Sequence, residues 1–527
     1  MSRNSVIKKV VNHVGKFNYM DKVPITVRKE IQSIKQNPPI IPINIGGKEI
    51  VKNLKPQYCP YQKDVIIAEY SSADKNDIYN AINSSNKGKK IWNEFSLNQK
   101  MDIFEKAANL VTSKYENKLL ASTIIGQGKT IYEAEIDAIS ELSDFLNFNR
   151  KYMIELNNEN LINSQDAINT QSWTSLSGFV AAVSPFNFTA IGGNLATAPL
   201  FMGNAVIWKP SDFSILSNYY IYELLLEAGV PAETLQFVPS EPEIFMNTIL
   251  ESPKFGGLAF TGSSSVFKDI LKKVYTNIDS YESFPRIIGE TGGNNYHFVF
   301  PDMEKKIEEI VNLTIRGAFG YSGQKCSATK RLYIPEQLYD NFVSTLNKKL
   351  KYYKFGNPEN DYIFSSSVIH QKSYNNCVSH ILSNKYKIVS ETNLFDNRIG
   401  NFVFPTIIHE KDPYSEIWKK EIFGPCLLIH KYKEKDLEKI ANICTSISGT
   451  NLTGSVFYKE SKYNNIFNKY FANNVGNLYI NDKSTGSVVG QQPFGGFGLS
   501  GTNDKAGSKY FLTRFGNSIV TKTKNKF

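Results

Sequence analysis

Leu258-Ala-Phe-Thr-Gly-Ser-Ser-Ser-Val-Phe-Lys-Asp-Ile-Leu-Lys-Lys-Val274 passes from a short apolar run, through one glycine, into a different periodicity. Leu258-Ala-Phe260 reads as a buried strand. Val266, Phe267, Ile270, Leu271 and Val274 recur at three- and four-residue spacing, which predicts a helix with one apolar face. Upstream, Gly178-Phe-Val-Ala-Ala-Val183, Ala205-Val-Ile-Trp208 and Leu235-Gln-Phe-Val238 predict three more strands. Between the last two, Ile215 to Ala228 predicts a helix stopped by Gly229 and Pro231. Strands alternating with helices imply a parallel sheet covered on both faces, a doubly wound α/β unit of Rossmann type. Ligands of such sheets lie beyond the carboxyl ends of the strands.

Further out, Ile78, Ala81 and Ile82, then Ile103, Ala107, Leu110 and Val111, then Ile136, Ile139 and Leu142 predict amphipathic helices between Ser72 and Leu146. Residues 22–65 read as an irregular, Pro- and Lys-rich lead-in. Tyr152 to Thr174 reads as a polar loop or an excursion toward a partner subunit. A second α/β region begins near Gly289, with helices over Lys305 to Ala318 and Gln337 to Leu350 and strands at Gly454–Phe457 and Asn477–Ile480.

Sixty Lys and Arg against fifty Asp and Glu give a net charge of +10 over 527 residues. The basic residues are mixed with acids and form no block, so a solvated surface is expected and no nucleic-acid partner. No apolar run is long enough to span a membrane. The five cysteines are scattered without a C-x-x-C pair, which points to a reducing compartment; with six dispersed histidines, no metal site is expected. Arg3, Lys8, Lys9 and Lys16 precede the first acid, Asp21, and fit either a mitochondrial presequence or an exposed basic tail.

Four places could carry chemistry. Cys326, in Gly317-Ala-Phe-Gly-Tyr-Ser-Gly-Gln-Lys-Cys-Ser-Ala-Thr-Lys330, sits on a Gly-rich turn between a helix and a strand, a sterically open position for a nucleophilic thiol. Glu290 follows Arg286-Ile-Ile-Gly289 at a strand end, where partial burial would raise a carboxylate toward neutral pKa as a general base. Asn187, in Ser184-Pro-Phe-Asn-Phe188, could donate to an oxyanion. The Thr261-Gly-Ser263 turn opens a helix whose N-terminus could receive a pyrophosphate. Each has an ordinary alternative: a small buried cysteine, a loop acid, a turn-forming asparagine, an N-cap serine. For Lys209, in Trp208-Lys-Pro-Ser-Asp212, the ordinary reading is a solvent-facing lysine.

Pro185-Phe-Asn187, Trp208-Lys-Pro210, Phe260-Thr-Gly-Ser263, Glu290-Thr-Gly-Gly293, Gly323-Gln-Lys-Cys326, Glu421-Ile-Phe-Gly-Pro425 and Pro493-Phe-Gly-Gly496 occur in the order found in NAD(P)-dependent aldehyde dehydrogenases. The chain resembles that family from about residue 40 to 515. Tyr479-Ile-Asn-Asp-Lys-Ser-Thr-Gly-Ser-Val-Val-Gly-Gln-Gln-Pro-Phe-Gly-Gly496 is similar to its members that oxidise L-glutamate γ-semialdehyde, formed from 1-pyrroline-5-carboxylate in proline degradation, to glutamate.

The resemblance implies a Rossmann-type cofactor domain over 1–155 and 178–288, a catalytic α/β domain over 289–490, and a β-flap for oligomerisation over 156–177 and 505–527. It implies Cys326 as nucleophile, Asn187 as oxyanion donor and Glu290 as the base that activates water. The cofactor would be held by Ser184, Lys209, Ser211, Gly262, Ser263, Glu421 and Phe423. Asp212 stands where many NAD-strict relatives carry Glu; NAD is favoured, with NADP use left open. The substrate would meet Glu141, Phe188, Ser327, Gly486, Ser487 and Phe494, the Thr485-Gly-Ser487 turn forming a carboxylate nest. A homodimer or higher assembly in the mitochondrial matrix is implied, with the cytoplasm as the alternative. Asn294, Gly320 and Phe497 depart from the family's usual residues. Another semialdehyde dehydrogenase and a non-catalytic relative are the competing readings.

Overall fold

The structure, a computed structural model, describes residues 10–383, 385–459 and 462–525. The basic stretch that suggested a presequence lies largely outside them, through residue 9.

The first of two seven-stranded sheets runs in the order Arg286–Glu290, Phe255–Thr261, Phe179–Val183, Val206–Lys209, Leu235–Phe237, Ile43–Ile45, Lys48–Ile50. The first five strands are mutually parallel and the last two antiparallel. Its strand order reverses between Phe179–Val183 and Phe255–Thr261, because the chain winds first to one side of its starting strand and then to the other. A crevice opens beyond the carboxyl ends at such a reversal. Ser184, Gly262 and Glu290 sit at those ends.

The second sheet has the order Lys387–Ile388, Thr406–His409, Cys426–Tyr432, Thr329–Pro335, Asn295–Val299, Thr453–Phe457, Asn477–Ile480, parallel except at the first strand. Cys426–Tyr432 and Thr329–Pro335 are almost wholly buried, as strands covered on both faces must be. Outside the two sheets, Ala167–Ser175 pairs antiparallel with Gly516–Lys524 along its whole length.

The strands at 179–183, 206–209 and 235–237 and the Ile215–Ala228 helix lie where the sequence pattern put them. The predicted 258–260 strand extends over Phe255–Thr261. Three expectations fail. The lead-in at 22–65 is ordered: helix Ile25–Gln36 buries Val27, Ile31 and Ile34, and Leu54–Cys59 pairs with Gln62–Ser71 as a hairpin. The expected loop from Tyr152 begins later, since its helix runs on to Asn157, and Ala167–Ser175 is strand. That strand alternates exposed and half-buried residues against a single partner, a pattern too polar to signal itself. Ile136 does not join the core; it is 38% exposed and faces a cavity.

Candidate active site

Cys326 is reached through an unusual turn. The helix Ile307–Phe319 ends at Gly320, and Tyr321, Ser322 and Gly323 then all take left-handed backbone, with φ of 49°, 50° and 64°. Two consecutive non-glycine residues in that region are costly and persist only where surroundings over-determine them. Here they do. Ser322 N–H donates to Ser365 Oγ at 2.6 Å, and the Gln324 side chain accepts from Ile369 N–H at 2.8 Å. Asn295 Nδ2 donates to the carbonyls of Cys326 (2.7 Å) and Ala328 (2.9 Å). Lys330 Nζ, fully buried, donates to the Gly323 and Gly424 carbonyls. A Cβ on Gly323 would collide with the Gly424 carbonyl, so both conformation and space demand glycine there.

Asn187 Nδ2 donates to the Gln324 carbonyl at 3.0 Å, so the Asn187 amide is held against the nucleophile loop, two residues from Cys326. One N–H of that amide makes this bond and sets its orientation. A primary amide has a second N–H to offer.

A cavity of about 110 Å³ gathers Cys326, Glu290, Glu141, Phe188, Ser327, Gly486, Ser487 and Phe494 on its wall. These residues, up to 353 positions apart, share it because the two sheets meet there: Glu290 closes the Arg286–Glu290 strand of the first sheet, whereas Cys326 lies just ahead of the Thr329–Pro335 strand of the second. Burial raises the Glu290 carboxyl to about 8, Lys505 opposing weakly, and its Oε1 has no hydrogen-bond partner among the described residues. Burial, reinforced by the Glu290 and Glu421 charges, pushes the Cys326 thiol well above its usual value. The Glu141 carboxyl stands at about 8, through burial and then the nearby Asp137 charge. Cys326 and the other four cysteines are free thiols.

The Ser484–Ser487 turn is fastened to the nucleophile loop by hydroxyls: Ser327 Oγ lies 2.7 Å from Thr485 Oγ1, and Ser484 Oγ donates to the Ser327 carbonyl at 3.0 Å. His297 Nε2 accepts from Ser484 N–H at 3.2 Å. Burial depresses this histidine to about 3, so it is a neutral structural link. The Ser487 hydroxyl donates to the Gln492 carbonyl.

The residues expected at a cofactor lie outside this cavity's wall: Ser184, Lys209, Ser211, Gly262 and Ser263 at the strand ends of the first sheet, Glu421 and Phe423 ahead of the Cys426–Tyr432 strand of the second. Lys209 is buried rather than solvent-facing, with Nζ 3.0 Å from the Pro210 carbonyl and 3.3 Å from Asp212 Oδ1. Ser184 Oγ is occupied by Trp208 Nε1 at 2.6 Å. Ser263 caps the Ser264–Thr276 helix by accepting from Val266 N–H at 3.3 Å, and Ser211 Oγ accepts from Phe213 N–H at 3.4 Å. Glu421 is raised to about 7 by burial, with Lys330 and the Gly293 N–H opposing; that N–H donates to its Oε1 at 3.1 Å. Phe423 meets Phe186 edge-on at 5.9 Å.

These residues fit a dinucleotide. A Cβ on Gly262 would come within 2.5 Å of the Phe260 ring, one on Gly292 would overlap the Glu421 carboxylate, and the buried Thr261 hydroxyl lacks a partner among the described residues. Close backbone, a helix N-terminus and a buried acid are what a pyrophosphate and a ribose require.

Sequence reasoning missed Glu133 and Lys325, which pair at 2.7 Å on the cavity wall, and the fully buried pair Lys129–Asp137, also at 2.7 Å. Adjacency to Cys326 was the available signal for Lys325. Lys129, Glu133, Asp137 and Glu141 recur every fourth residue, but the segment Glu135–Glu141 is a π-helix, whose wider turn no amphipathic template anticipates. Of the departures, Asn294 is buried and donates to the Trp418 carbonyl at 2.6 Å, and a Cβ on Gly320 would stand 3.2 Å from Glu133 Oε1.

A reversal crevice beside a half-buried thiol, a raised carboxyl and an oriented amide is the arrangement of a cofactor-dependent acyl-forming oxidoreductase. Residues 50–519 match the aldehyde dehydrogenase family, and the chain belongs to it. It is 40% identical over 515 residues to the mitochondrial delta-1-pyrroline-5-carboxylate dehydrogenase of Danio rerio, covering 97% of this chain and 92% of that one. It is 42% identical over 482 residues to the Dictyostelium discoideum enzyme of the same name, covering 90% and 86%. The crystal structure of the Mycobacterium tuberculosis delta-pyrroline-5-carboxylate dehydrogenase bound with NAD superposes with a TM-score of 0.93 at 32% identity, covering 99% of this chain and 97% of that one.

Proposed function

We infer that this chain is an NAD-dependent dehydrogenase that oxidises L-glutamate γ-semialdehyde, the open form of 1-pyrroline-5-carboxylate, to L-glutamate. The observation that carries the chemistry is the convergence of Cys326 and Glu290 on one cavity, with Asn187 fastened to the nucleophile loop. Full-length similarity to delta-1-pyrroline-5-carboxylate dehydrogenases supports the substrate.

In the mechanism we propose, Cys326 gives its proton to solvent and its Sγ, as the thiolate, bonds to the aldehyde carbon. The second N–H of Asn187 and the Cys326 backbone N–H stabilise the resulting oxyanion. Nicotinamide, when bound, supplies the acceptor for the hydride that leaves this carbon, and a thioester on Cys326 remains. Glu290 then takes a proton from water, which attacks the thioester; the C–S bond breaks and glutamate departs. A thiolate suits both halves, a strong nucleophile first and a good leaving group later. The cofactor would lie against Ser184, Lys209, Ser211, Gly262, Ser263, Glu421 and Phe423. The substrate carboxylate would sit in the Thr485–Ser487 turn, its methylenes between Phe188 and Phe494, with Glu141 and Ser327 on the flanks.

The test is NADH production with pyrroline-5-carboxylate against succinic semialdehyde and simple aliphatic aldehydes. The highest kcat/KM is expected for the first, and preference for either competitor overturns the substrate. We assign NAD binding to residues 1–155 and 178–288, catalysis to 289–490 and assembly to 156–177 with 505–527. The paired strands Ala167–Ser175 and Gly516–Lys524 expose Ile168, Ile519 and Val520, a surface suited to a second copy. A mitochondrial location accords with the names of the relatives; imaging of a C-terminally tagged chain tests it.

A further inference from the structure

We propose that Asp137 is a positioning residue for the oxyanion donor: from the π-helix it caps the Thr189–Phe201 helix and so fixes where Asn187 stands. The inference rests on the reading of Asn187 given above.

The Thr189–Phe201 helix begins without a cap of its own. Phe188 occupies the N-cap position and offers no side-chain hydrogen bond to the first turn. A helix start buried without acceptors leaves its N–H groups unsatisfied, at a cost. Asp137, 52 residues earlier, supplies what is missing: Oδ2 accepts from Thr189 N–H at 2.9 Å and Oδ1 from Ala190 N–H at 2.8 Å. A carboxylate at a helix N-terminus is also favoured by the helix dipole. The two N–H groups belong to the second and third residues after Asn187.

The carboxylate is itself held. Lys129 Nζ donates to Asp137 Oδ2 at 2.7 Å, and both side chains are completely buried. The same ammonium lies over the Phe188 ring at 4.0 Å and the Tyr321 ring at 4.7 Å. Phe188 adjoins Asn187, and Tyr321 opens the left-handed turn leading to Cys326. One buried ion pair therefore touches both segments that must meet at the reacting carbon. Thr189 Oγ1 adds contacts to Thr123, Gln127 and Ser217 at 3.0–3.1 Å, which anchor the helix start but do not reach its backbone N–H groups.

From the other side, Asn187 is fixed by its bond to the Gln324 carbonyl. With Asp137 gone, that single bond would have to hold the donor while two helix N–H groups sought other partners. An oxyanion donor acts only at hydrogen-bond distance from the developing charge, so a displacement of about 1 Å is enough to reduce kcat by about a hundredfold.

The experiment compares wild type with Asp137→Asn, Lys129→Met/Asp137→Asn, Asn187→Ala, and Asn187→Ala combined with each of the first two. The double change removes both buried charges together, so no unpaired ion threatens folding. Steady-state kinetics with pyrroline-5-carboxylate, NAD binding, and alkylation of Cys326 by iodoacetamide are followed for each. Alkylation displaces iodide at a saturated carbon and forms no oxyanion. Asp137→Asn and the double variant are expected to lower kcat by about 10- to 100-fold with KM and NAD affinity within about twofold of wild type and an unchanged alkylation rate. In the Asn187→Ala background they are expected to add almost nothing, because the group they position is gone. Retention of kcat in both Asp137 variants, losses that multiply with Asn187→Ala, or alkylation that slows in parallel with kcat would each overturn the proposal. If Asn187→Ala itself retained wild-type kcat, the underlying assignment of the oxyanion donor would fail instead.

Discussion

The nucleophile loop leads into the Thr329–Pro335 strand of the second sheet and the cofactor turn leaves the Phe255–Thr261 strand of the first, and they are built oppositely. Residues 320–326 pass through a strained left-handed path at Tyr321, Ser322 and Gly323 and are tied down by Asn187, Asn295, Lys330, Ser365 and Ile369. The Gly262–Ser263 turn is open: Ser263 is exposed and, among the described residues, its hydroxyl bonds only within its own helix start. The difference follows from what each must do. A sulfur that forms and breaks a covalent bond needs its place set to a fraction of an ångström, and strain is tolerated when many contacts share it. A turn that receives and releases a dinucleotide needs free N–H groups and little else.

Changes in the loop should therefore act on turnover and changes in the turn on binding, in descending size. Cys326→Ala is expected to lower kcat on the order of 10⁴-fold or more while leaving NAD affinity intact, as fluorescence titration would show. Residual turnover close to wild type would remove the covalent mechanism altogether. Glu290→Gln should cost about 10²- to 10⁴-fold in steady-state rate yet retain a first-turnover burst of NADH, since hydride leaves before water is needed. Stopped-flow measurement separates the two phases, and loss of the burst as well would assign Glu290 to the first step.

The raised Glu290 carboxyl also sets the sign of two pH effects. Its base form gains population up to about pH 8, so steady-state turnover should climb through that range in wild type and lose this limb in Glu290→Gln. Folding acts in the other direction. Between the ordinary carboxyl value of 4.5 and about 8, the unfolded chain has lost this proton while the folded chain keeps it, so the group costs stability that grows as pH rises. Glu290→Gln should melt higher than wild type at pH 8 and equally at pH 4.5; calorimetry at the two values decides it.

The smaller effects sharpen the contrast between the two turns. Gly323→Ala should depress the melting temperature and kcat together, because the loop must move away from the Gly424 carbonyl. Ser263→Ala should leave kcat unchanged and weaken NAD by no more than about tenfold, a loss of the order of one N-cap hydrogen bond. A fall in kcat instead would mean that the turn, like the loop, takes part in placing reacting atoms.

Much of this could be read from order along the chain. Alternation of strand and helix from Phe179 to Thr276 announces a doubly wound sheet because burial on both faces forces the pattern. Cys326, Glu290 and Asn187 stand out because each lies in a short motif beside glycine or proline, where the backbone must turn at a strand end. Periodicity showed neither the lead-in hairpin nor the flap strands, the latter implied only by the family resemblance: Ala167–Ser175 is mostly polar, and its partner lies some 350 residues away.

The sequence by itself determined the fold class, the family and the reacting residue types, since these depend on local periodicity and on motifs that need only their neighbours. Tertiary structure alone decided how those residues are held. The left-handed path through Tyr321 and Ser322 has no signature in residue type; it exists because distant side chains satisfy it. By residue type Lys129 and Asp137 are ordinary charges, and only folding places them in a water-free interior, with Asp137 at the head of the helix that follows Asn187. A charge gains such a role from burial and from partners brought across the chain, and neither is written in its immediate surroundings.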